Sequence, residues 1–454
     1  MRRIPGRRCA SMIRPRLLFV NQHYYPDVAS TGQHLTDLAE HLAAGGFEVD
    51  VLCGSGRYVS GALGVPRREA RRGVQITRAR TTAFGRGTHV GRLLDYATFF
   101  AQVLTRLLFR RRYDLVVYLT TPPLLAVVGL LAKRVRGASY AIWSMDLHPG
   151  VEEAVGVVRR GGLRSRVLHA LNDAAYRNAE FIVDLGPYMK RYLLAHGIRA
   201  DRLYTIPVWS KRDEIYPLHP AENGLRRALG LEDKFVVMYS GNAGLVHRFG
   251  EVLEVMRRLR RHPDVFFLFA GGGPRKGEIA SFVKAEGIEN FLYLDYVPRE
   301  QLAESLGVGD VHLLTLDNAT AGLAVPGKLY GIMAAGRPVV VVGPAQSEPA
   351  DTALHHGAGF LVNTEGDPPD AADHLEATLL RLHAEPELRA RVGAQARAAF
   401  LAHFEQVGAC KAWSALLADE VGSRIGAVDW RAAGQVVPRS RRARRRVAAE
   451  AQAA

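Results

Sequence analysis

The chain is poor in cysteine. Its three cysteines, Cys9, Cys53 and Cys410, are odd in number and far apart. They build neither a disulfide framework nor a CxxC metal site, which points to a reducing compartment. Long apolar runs are missing as well. Ala97–Phe109 is broken by Gln102 and Arg106, and Leu115–Leu131 by Pro122 and Pro123. Both fall short of the roughly 20 residues that a spanning helix needs. The opening MRRIPGRRCASMIRPR holds no continuous apolar segment, so it is not expected to serve as a signal peptide. No Gly-Lys-Ser/Thr follows any glycine turn, which excludes a Walker loop. No repeat recurs at solenoid spacing.

What is present is ordinary for a globular protein: 454 residues, 48% hydrophobic and 23% charged. That length predicts two or three domains. The formal charge of +15 sits mostly at the ends. Residues 1–16 and 439–454 carry six arginines each, leaving the body with about +4. The stretches 1–12 and 438–454 therefore read as disordered basic tails, solvated or touching anionic lipid, and nucleic acid is not an expected partner.

Short β-branched runs alternate with helical patterns. Strands are expected at Arg16–Val20, Glu48–Cys53, Asp114–Leu119, Tyr140–Trp143 and Phe181–Asp184. The pattern restarts at Phe235–Ser240 and continues through Val265–Ala270, Phe291–Leu294, Val311–Thr315 and Pro338–Val342. A helix over Thr31–Ala44 carries Leu35, Leu38, Ala39 and Leu42 on one face, and Gly45-Gly46 stops it. Such alternation predicts an α/β protein with two doubly wound parallel sheets facing across a cleft. The proline-rich stretch Pro207–Pro220 reads as the link. Residues 13–208 then form an acceptor-side domain and 209–410 a nucleotide-side domain, with a helix over 411–421 returning to the first.

Ligands in such folds bind outside the carboxyl ends of the strands. Five segments fall there. Asn21–Gln33 leads from a strand into a helix, where Gly32 permits close approach to the backbone; Ser30 or Thr31 suits a plain N-cap equally. Asp146 and His148 stand two apart and are able to orient a sugar hydroxyl or share its proton, with Glu152 and Glu153 nearby. Ser240–Gly244 followed by Arg248 reads as a diphosphate cradle or as a tight strand-to-helix turn. Gly271–Gly273 marks another sharp turn. Gly322–Val340 turns on small residues, enters one helix and returns to a strand, and Lys328 at that helix start adds a positive charge.

These stretches, with Thr121-Pro122-Pro123 and Tyr296-Val297-Pro298, resemble the family 4 glycosyltransferases of the GT-B fold, near the subgroup that builds capsular and colanic-acid-type polysaccharides. The resemblance runs from about Arg14 to Val421. It implies a retaining, metal-independent transfer from a nucleotide sugar, usually a UDP-sugar, with no cofactor. By position, Gly32, Asp146 and His148 would flank the reacting centre, and Asn242, Gly244, Arg248 and Lys328 the diphosphate. Tyr296, Val297 and Gly331 would flank the base and ribose. The family's pair of glutamates eight apart is absent, since Leu323 and Gly331 occupy those positions. A UDP-sugar 2-epimerase and a degenerate membrane-associated binding protein are alternatives on the same fold. The resemblance also implies a glycan or polyprenyl-diphosphate-linked acceptor. It implies a cytoplasmic protein; the apolar helix Leu93–Phe109, with Arg92, Arg106 and Arg110–Arg112 along or beside it, reads either as a surface resting on the inner face of the plasma membrane or as a core helix with a solvated basic end.

Overall fold

The computed structural model describes residues 14–54, 65–82, 89–109 and 112–425. The two expected basic tails, and Arg110 and Arg111 beside the apolar helix, lie outside the described residues. The first sheet contains β1 (Arg16–Val20), β2 (Glu48–Cys53), β3 (Arg68–Arg71), β4 (Val74–Arg78), β5 (Leu115–Leu119), β6 (Tyr140–Trp143), β7 (Ile182–Asp184) and β8 (Leu203–Thr205). Their order is β3-β4-β2-β1-β5-β6-β7-β8, parallel except where β3 meets β4. The second sheet contains β9 (Phe235–Ser240), β10 (Val265–Ala270), β11 (Phe291–Leu294), β12 (Val311–Thr315), β13 (Val339–Gly343) and β14 (Gly359–Asn363), in the order β11-β10-β9-β12-β13-β14 and wholly parallel.

Runs such as LVVYL in β5 and VVVVG in β13 are buried along their whole length, because helices cover both faces of a parallel sheet. The helix Ser30–Ala44 buries Leu35, Leu38, Ala39 and Leu42 against the first sheet. It ends where Gly46 takes φ 94°, a conformation that favours glycine. Four strands escape the periodicity: β3, β4, β8 and β14. Two are short, β3 with four residues and β8 with three, and β3 (REAR) carries three charges, as suits an edge strand.

Chain order reverses beside β1 in the first sheet and beside β9 in the second. At such a switch point the loops after neighbouring strands diverge and leave a crevice. The two crevices face one another. Leu147 N–H donates to the Leu323 carbonyl at 2.8 Å, and Asp146 and Ala324 form an antiparallel bridge between the lobes. Buried Asp37 joins them a second time. Its carboxylate receives Trp209 Nε1–H at 3.3 Å and lies 2.6 Å from Lys211 Nζ and 3.4 Å from Arg299 Nη2.

The crossing segment 207–219 forms no regular element, yet it is packed. Trp209 is buried and stacks on Trp143 at 5.8 Å. Beyond the second sheet, the helix Gln406–Ile425 lies against the first lobe. Trp413 sits 4.9 Å from Trp143, and Tyr204 donates to Glu420 at 2.8 Å. One apolar core thus runs through the first lobe, the crossing and the terminal helices, while another lies between the second sheet and its own helices. None of the described helices is long and apolar enough to cross a membrane.

Candidate active site

The second lobe contributes a cradle made mainly of backbone. The turn after β10 presses onto the turn after β9. Ala243 N–H donates to the Gly272 carbonyl at 2.6 Å, and Gly241 N–H to that of Ala270 at 2.8 Å. Gly271 and Gly273 take φ 132° and 121° there, and a Cβ on either would collide with the backbone of Gly241 or Ala243. Side chains are excluded by this approach, so the glycines are structural necessities before they are ligand contacts. Tyr296, half exposed, lays its ring over Gly272, and Val297 beside it is half-buried.

Lys328 enters beneath the cradle. Its Nζ donates to Tyr239 Oη at 2.6 Å and lies 3.8 Å from that ring's centre, while Tyr239 Oη donates to the Asn242 carbonyl at 3.1 Å. A Cβ on Gly241 would meet Lys328 Cε at 3.4 Å. Burial without a carboxylate partner lowers the Lys328 ammonium to about 7. His247 packs edge-on against Tyr239 at 6.0 Å. Its Nδ1–H donates to the Thr315 carbonyl at 2.5 Å, and burial, with Lys328 opposing a second charge, lowers it to about 3. Neutral His247 thus packs on Tyr239, whose hydroxyl links Lys328 to Asn242, and its backbone N–H donates to the Gly244 carbonyl at 3.2 Å. Sequence reasoning passed over both Tyr239 and His247, because a tyrosine inside a strand reads as core.

Two residues lie differently from the sequence expectation. Arg248 commits Nε, at 3.1 Å, and Nη2 to the buried carboxylate of Glu251, one turn ahead. Only Nη1 remains uncommitted. Gly331 is buried, and a Cβ there would meet Leu306, Ile215 and Ser210 at 3.6–3.8 Å. That position lies in an apolar seam against the crossing segment.

The first lobe contributes side chains. Thr120 Oγ1, after β5, accepts from the N–H groups of Met145 and Asp146 at 3.2 and 3.1 Å, fixing the loop after β6. His148 Nδ1 lies 2.7 Å from Glu152 Oε1. Burial alone would lower His148, but the hydrogen bond and charge of Glu152, with the charge of Asp146, raise it. Burial raises Asp146, and His148 partly offsets that effect. The arrangement is a hydrogen-bonded imidazole–carboxylate pair, His148 and Glu152, with the charge of Asp146 acting on it at the lobe interface.

Gly32 sits on the backbone of His23 and Tyr24, where a Cβ would find neighbours at 3.1–3.2 Å. It brings the start of the helix Ser30–Ala44 close under that loop, and no side chain caps that helix. Across the interface, Gly327 stands beside Ser30, His34 and Val208: a Cβ on it would lie 3.9 Å from Ser30 Oγ and 3.8 Å from His34 Nε2. Lys328, the next residue, thereby approaches the first lobe. Of the residues expected from sequence, Asn242, Gly244 and Lys328 are brought together, and the loop 322–327 carries them to Asp146, His148 and Gly32.

Two parallel-sheet lobes, meeting at the carboxyl ends of their strands with a cation beneath a glycine cradle, define a glycosyltransferase of the GT-B architecture. The comparisons agree. Residues 31–209 match the model described as a glycosyl transferase 4-like domain, and residues 222–399 that described as glycosyl transferases group 1; the chain belongs to this glycosyltransferase family. It is similar to the putative colanic acid biosynthesis glycosyl transferase WcaI of Escherichia coli (strain K12), at 24% identity over 73% of this chain and 84% of that one. It is also similar to the probable glycosyltransferase WbjE of Pseudomonas aeruginosa, at 25% identity over 51% and 58%. Among solved structures, sucrose-phosphate synthase from Thermosynechococcus elongatus superposes with a TM-score of 0.74 at 16% identity, covering 90% of this chain and all of that one. Anabaena Alr3699/HepE in complex with UDP and glucose superposes at 0.67 and 17%, covering 89% and 100%.

Proposed function

We propose that the cleft binds a nucleoside diphosphate sugar, a UDP-sugar by preference, and transfers its sugar with retention and without a metal or cofactor. The acceptor is a lipid-linked or polysaccharide glycan of the cell surface. The observation that carries this reading is Lys328, a half-buried cation under a glycine cradle, on the segment whose Leu323 and Ala324 pair with the Asp146–His148 loop across the lobe interface. Breaking the sugar–phosphate bond leaves a diphosphate anion, and a preorganised cation stabilises that charge most where water is excluded.

In this reading Asn242, Gly244 and Lys328 surround the diphosphate, and the free Nη1 of Arg248 adds a donor at its edge. Tyr296 offers an aromatic face for the base. Asp146 and His148 bind the sugar and acceptor hydroxyls, and Glu152 holds the imidazole in place. No carboxylate stands where the family's ribose-binding glutamate would be, and Gly331 supplies none. The donor enters by parting the Leu147–Leu323 pairing. Attack on the face from which UDP departs retains configuration.

An acceptor lipid fits the outer surface of the first lobe. The helix His89–Phe109 exposes Val90, Leu93, Leu94 and Phe109. Beside it an apolar hollow of about 220 Å³ is lined by Phe100, Leu104, Val127, Leu131 and Leu171. Anionic lipid at the inner leaflet would meet the basic residues of this face at about 1 kcal/mol each. UDP is expected to raise the melting temperature of the wild type, since a ligand bound to the native state stabilises it by mass action. Sugar transfer is expected to persist in chelator and to fall about a hundredfold in Lys328→Ala. A chain whose melting temperature ignores every nucleotide sugar, or whose Lys328→Ala variant turns over normally, is not the enzyme described.

A further inference from the structure

Behind the Asp146–His148 loop of the first lobe, three residues to which the cleft reading gives no role converge. His169 and Asp173 stand one turn apart on the helix Leu163–Asn178, and His196 caps the helix Pro187–Ala195. Their ligand atoms all lie within 4.8 Å of one another. The rings of His169 and His196 are near parallel, at 16° and 5.5 Å. They line a hollow of about 10 Å³, which is the room one water-sized sphere occupies.

The surrounding bonds prepare these imidazoles as ligands. His196 Nδ1 lies 2.9 Å from the Tyr192 carbonyl, which only accepts, so Nδ1 carries the proton and Nε2 keeps its lone pair. Glu153 Oε1 lies 3.2 Å from His169 Nε2, the kind of outer carboxylate that orients a metal-binding histidine. Asp173 gives one oxygen to Arg177 Nη2 at 3.3 Å, and the same Nη2 donates to the His196 carbonyl at 3.0 Å, so metal binding requires this 52% exposed side chain to release Asp173. A second group, His262, Asp264 and His383, lacks these features. Its His262 Nδ1 is engaged by the Asp264 N–H at 3.4 Å, and Asp264 is exposed.

We propose that His169, Asp173 and His196 bind one divalent transition metal of the zinc class, tying the ends of two helices together beneath the Asp146–His148 loop. Two imidazoles and a carboxylate are a zinc donor set, with water in the fourth position. Bonds of about 2.1 Å in a tetrahedron put the donors about 3.4 Å apart, within reach of small side-chain rotations. The site is independent of the proposed reading of the cleft.

The test uses the full chain stripped with chelator, then titrated with Co²⁺ for visible absorption and with Zn²⁺ for melting temperature. One equivalent is expected to bind, with a Co²⁺ band and a rise in melting temperature. Affinity should fall about tenfold or more in His169→Gln, Asp173→Asn and His196→Gln, and stay unchanged in His262→Gln. Variants are scored only where far-UV circular dichroism matches wild type, and the three independent ligand substitutions guard against one that misfolds. Absence of binding in wild type, binding that survives in every folded ligand variant, or loss in His262→Gln alone overturns the proposal.

Discussion

The two faces of the cleft are built from different materials. On the second lobe the cradle is backbone, set by glycines that let two turns touch, with Lys328 as its charge. On the first lobe it is side chains: Asp146, His148 and Glu152 on a loop held by Thr120. A diphosphate is a fixed anion, suited to peptide N–H groups and one cation that do not rearrange. A sugar hydroxyl is a proton donor, and handling it takes groups whose ionisation is adjustable. In the proposed reading the second lobe receives the leaving group and the first the acceptor.

That contrast breaks most severely if the cradle tolerates a side chain. Gly271→Ala places a Cβ against the Gly241 carbonyl at φ 132°. It is expected to destabilise the chain by about 3 kcal/mol or more, read by denaturant unfolding. Lys328→Ala is next, with turnover falling about a hundredfold. Its pH behaviour sharpens the point. Between about 7 and its ordinary value of 10.5, Lys328 is neutral when folded and charged when unfolded, so the unfolded state binds more protons and stability rises with pH in that window. UDP needs the charged form, so its affinity is expected to fall as pH rises above about 7, a slope that Lys328→Ala removes in a calorimetric titration.

On the side-chain face the effects are smaller. His148→Asn is expected to lower turnover about tenfold, the low end for proton handling. In Glu152→Gln the His148 limb of the pH–rate profile should move to lower pH, because burial then acts on the imidazole with less opposition. Unmoved profiles would mean that the first lobe works by shape alone.

A third prediction concerns the contact between the lobes. Burial raises Asp184 to about 7, and burial with Asp351 and Asp184 nearby raises Glu348 to about 8. Lys190 partly offsets the shift at Asp184, and a Cβ on Gly186 would strike the Glu348 carboxylate. Both acids hold protons in the native state that the unfolded chain releases from about pH 4 upward. Their contribution is therefore present at low pH and lost as pH rises toward 8. Glu348→Gln is expected to flatten that loss and raise the melting temperature at pH 8 by about 2–4 °C. The smallest effect is at Gly277, in the helix Lys276–Ala285, where a Cβ meets nothing within 4 Å; Gly277→Ala should gain about 0.5–1 kcal/mol.

Much of the fold was legible because burial on both faces writes itself as unbroken apolar runs. β1, β2, β6 and β9 to β12 fall on the residues that periodicity picked out. β3 was not legible, since a charged edge strand lacks that mark, and β4 (VQITR) alternates instead of running apolar; the Arg72-Gly73 turn between them, at φ 44° and 84°, was the available signal. The prolines of 207–220 marked the crossing but not that Trp209 and Ile215 are buried within it.

The sequence alone determined that the glycine turns, Lys328 and the Asp146–His148 pair belong to segments that flank strands; local periodicity and turn chemistry depend only on near neighbours. Tertiary structure alone decided what each group meets across long stretches of chain. Tyr239 lies under Lys328, Glu251 holds Arg248, Gly331 faces an apolar seam, and His169 meets His196. Burial and charge pairing set the chemistry of these groups, and both are made by residues far apart in the chain.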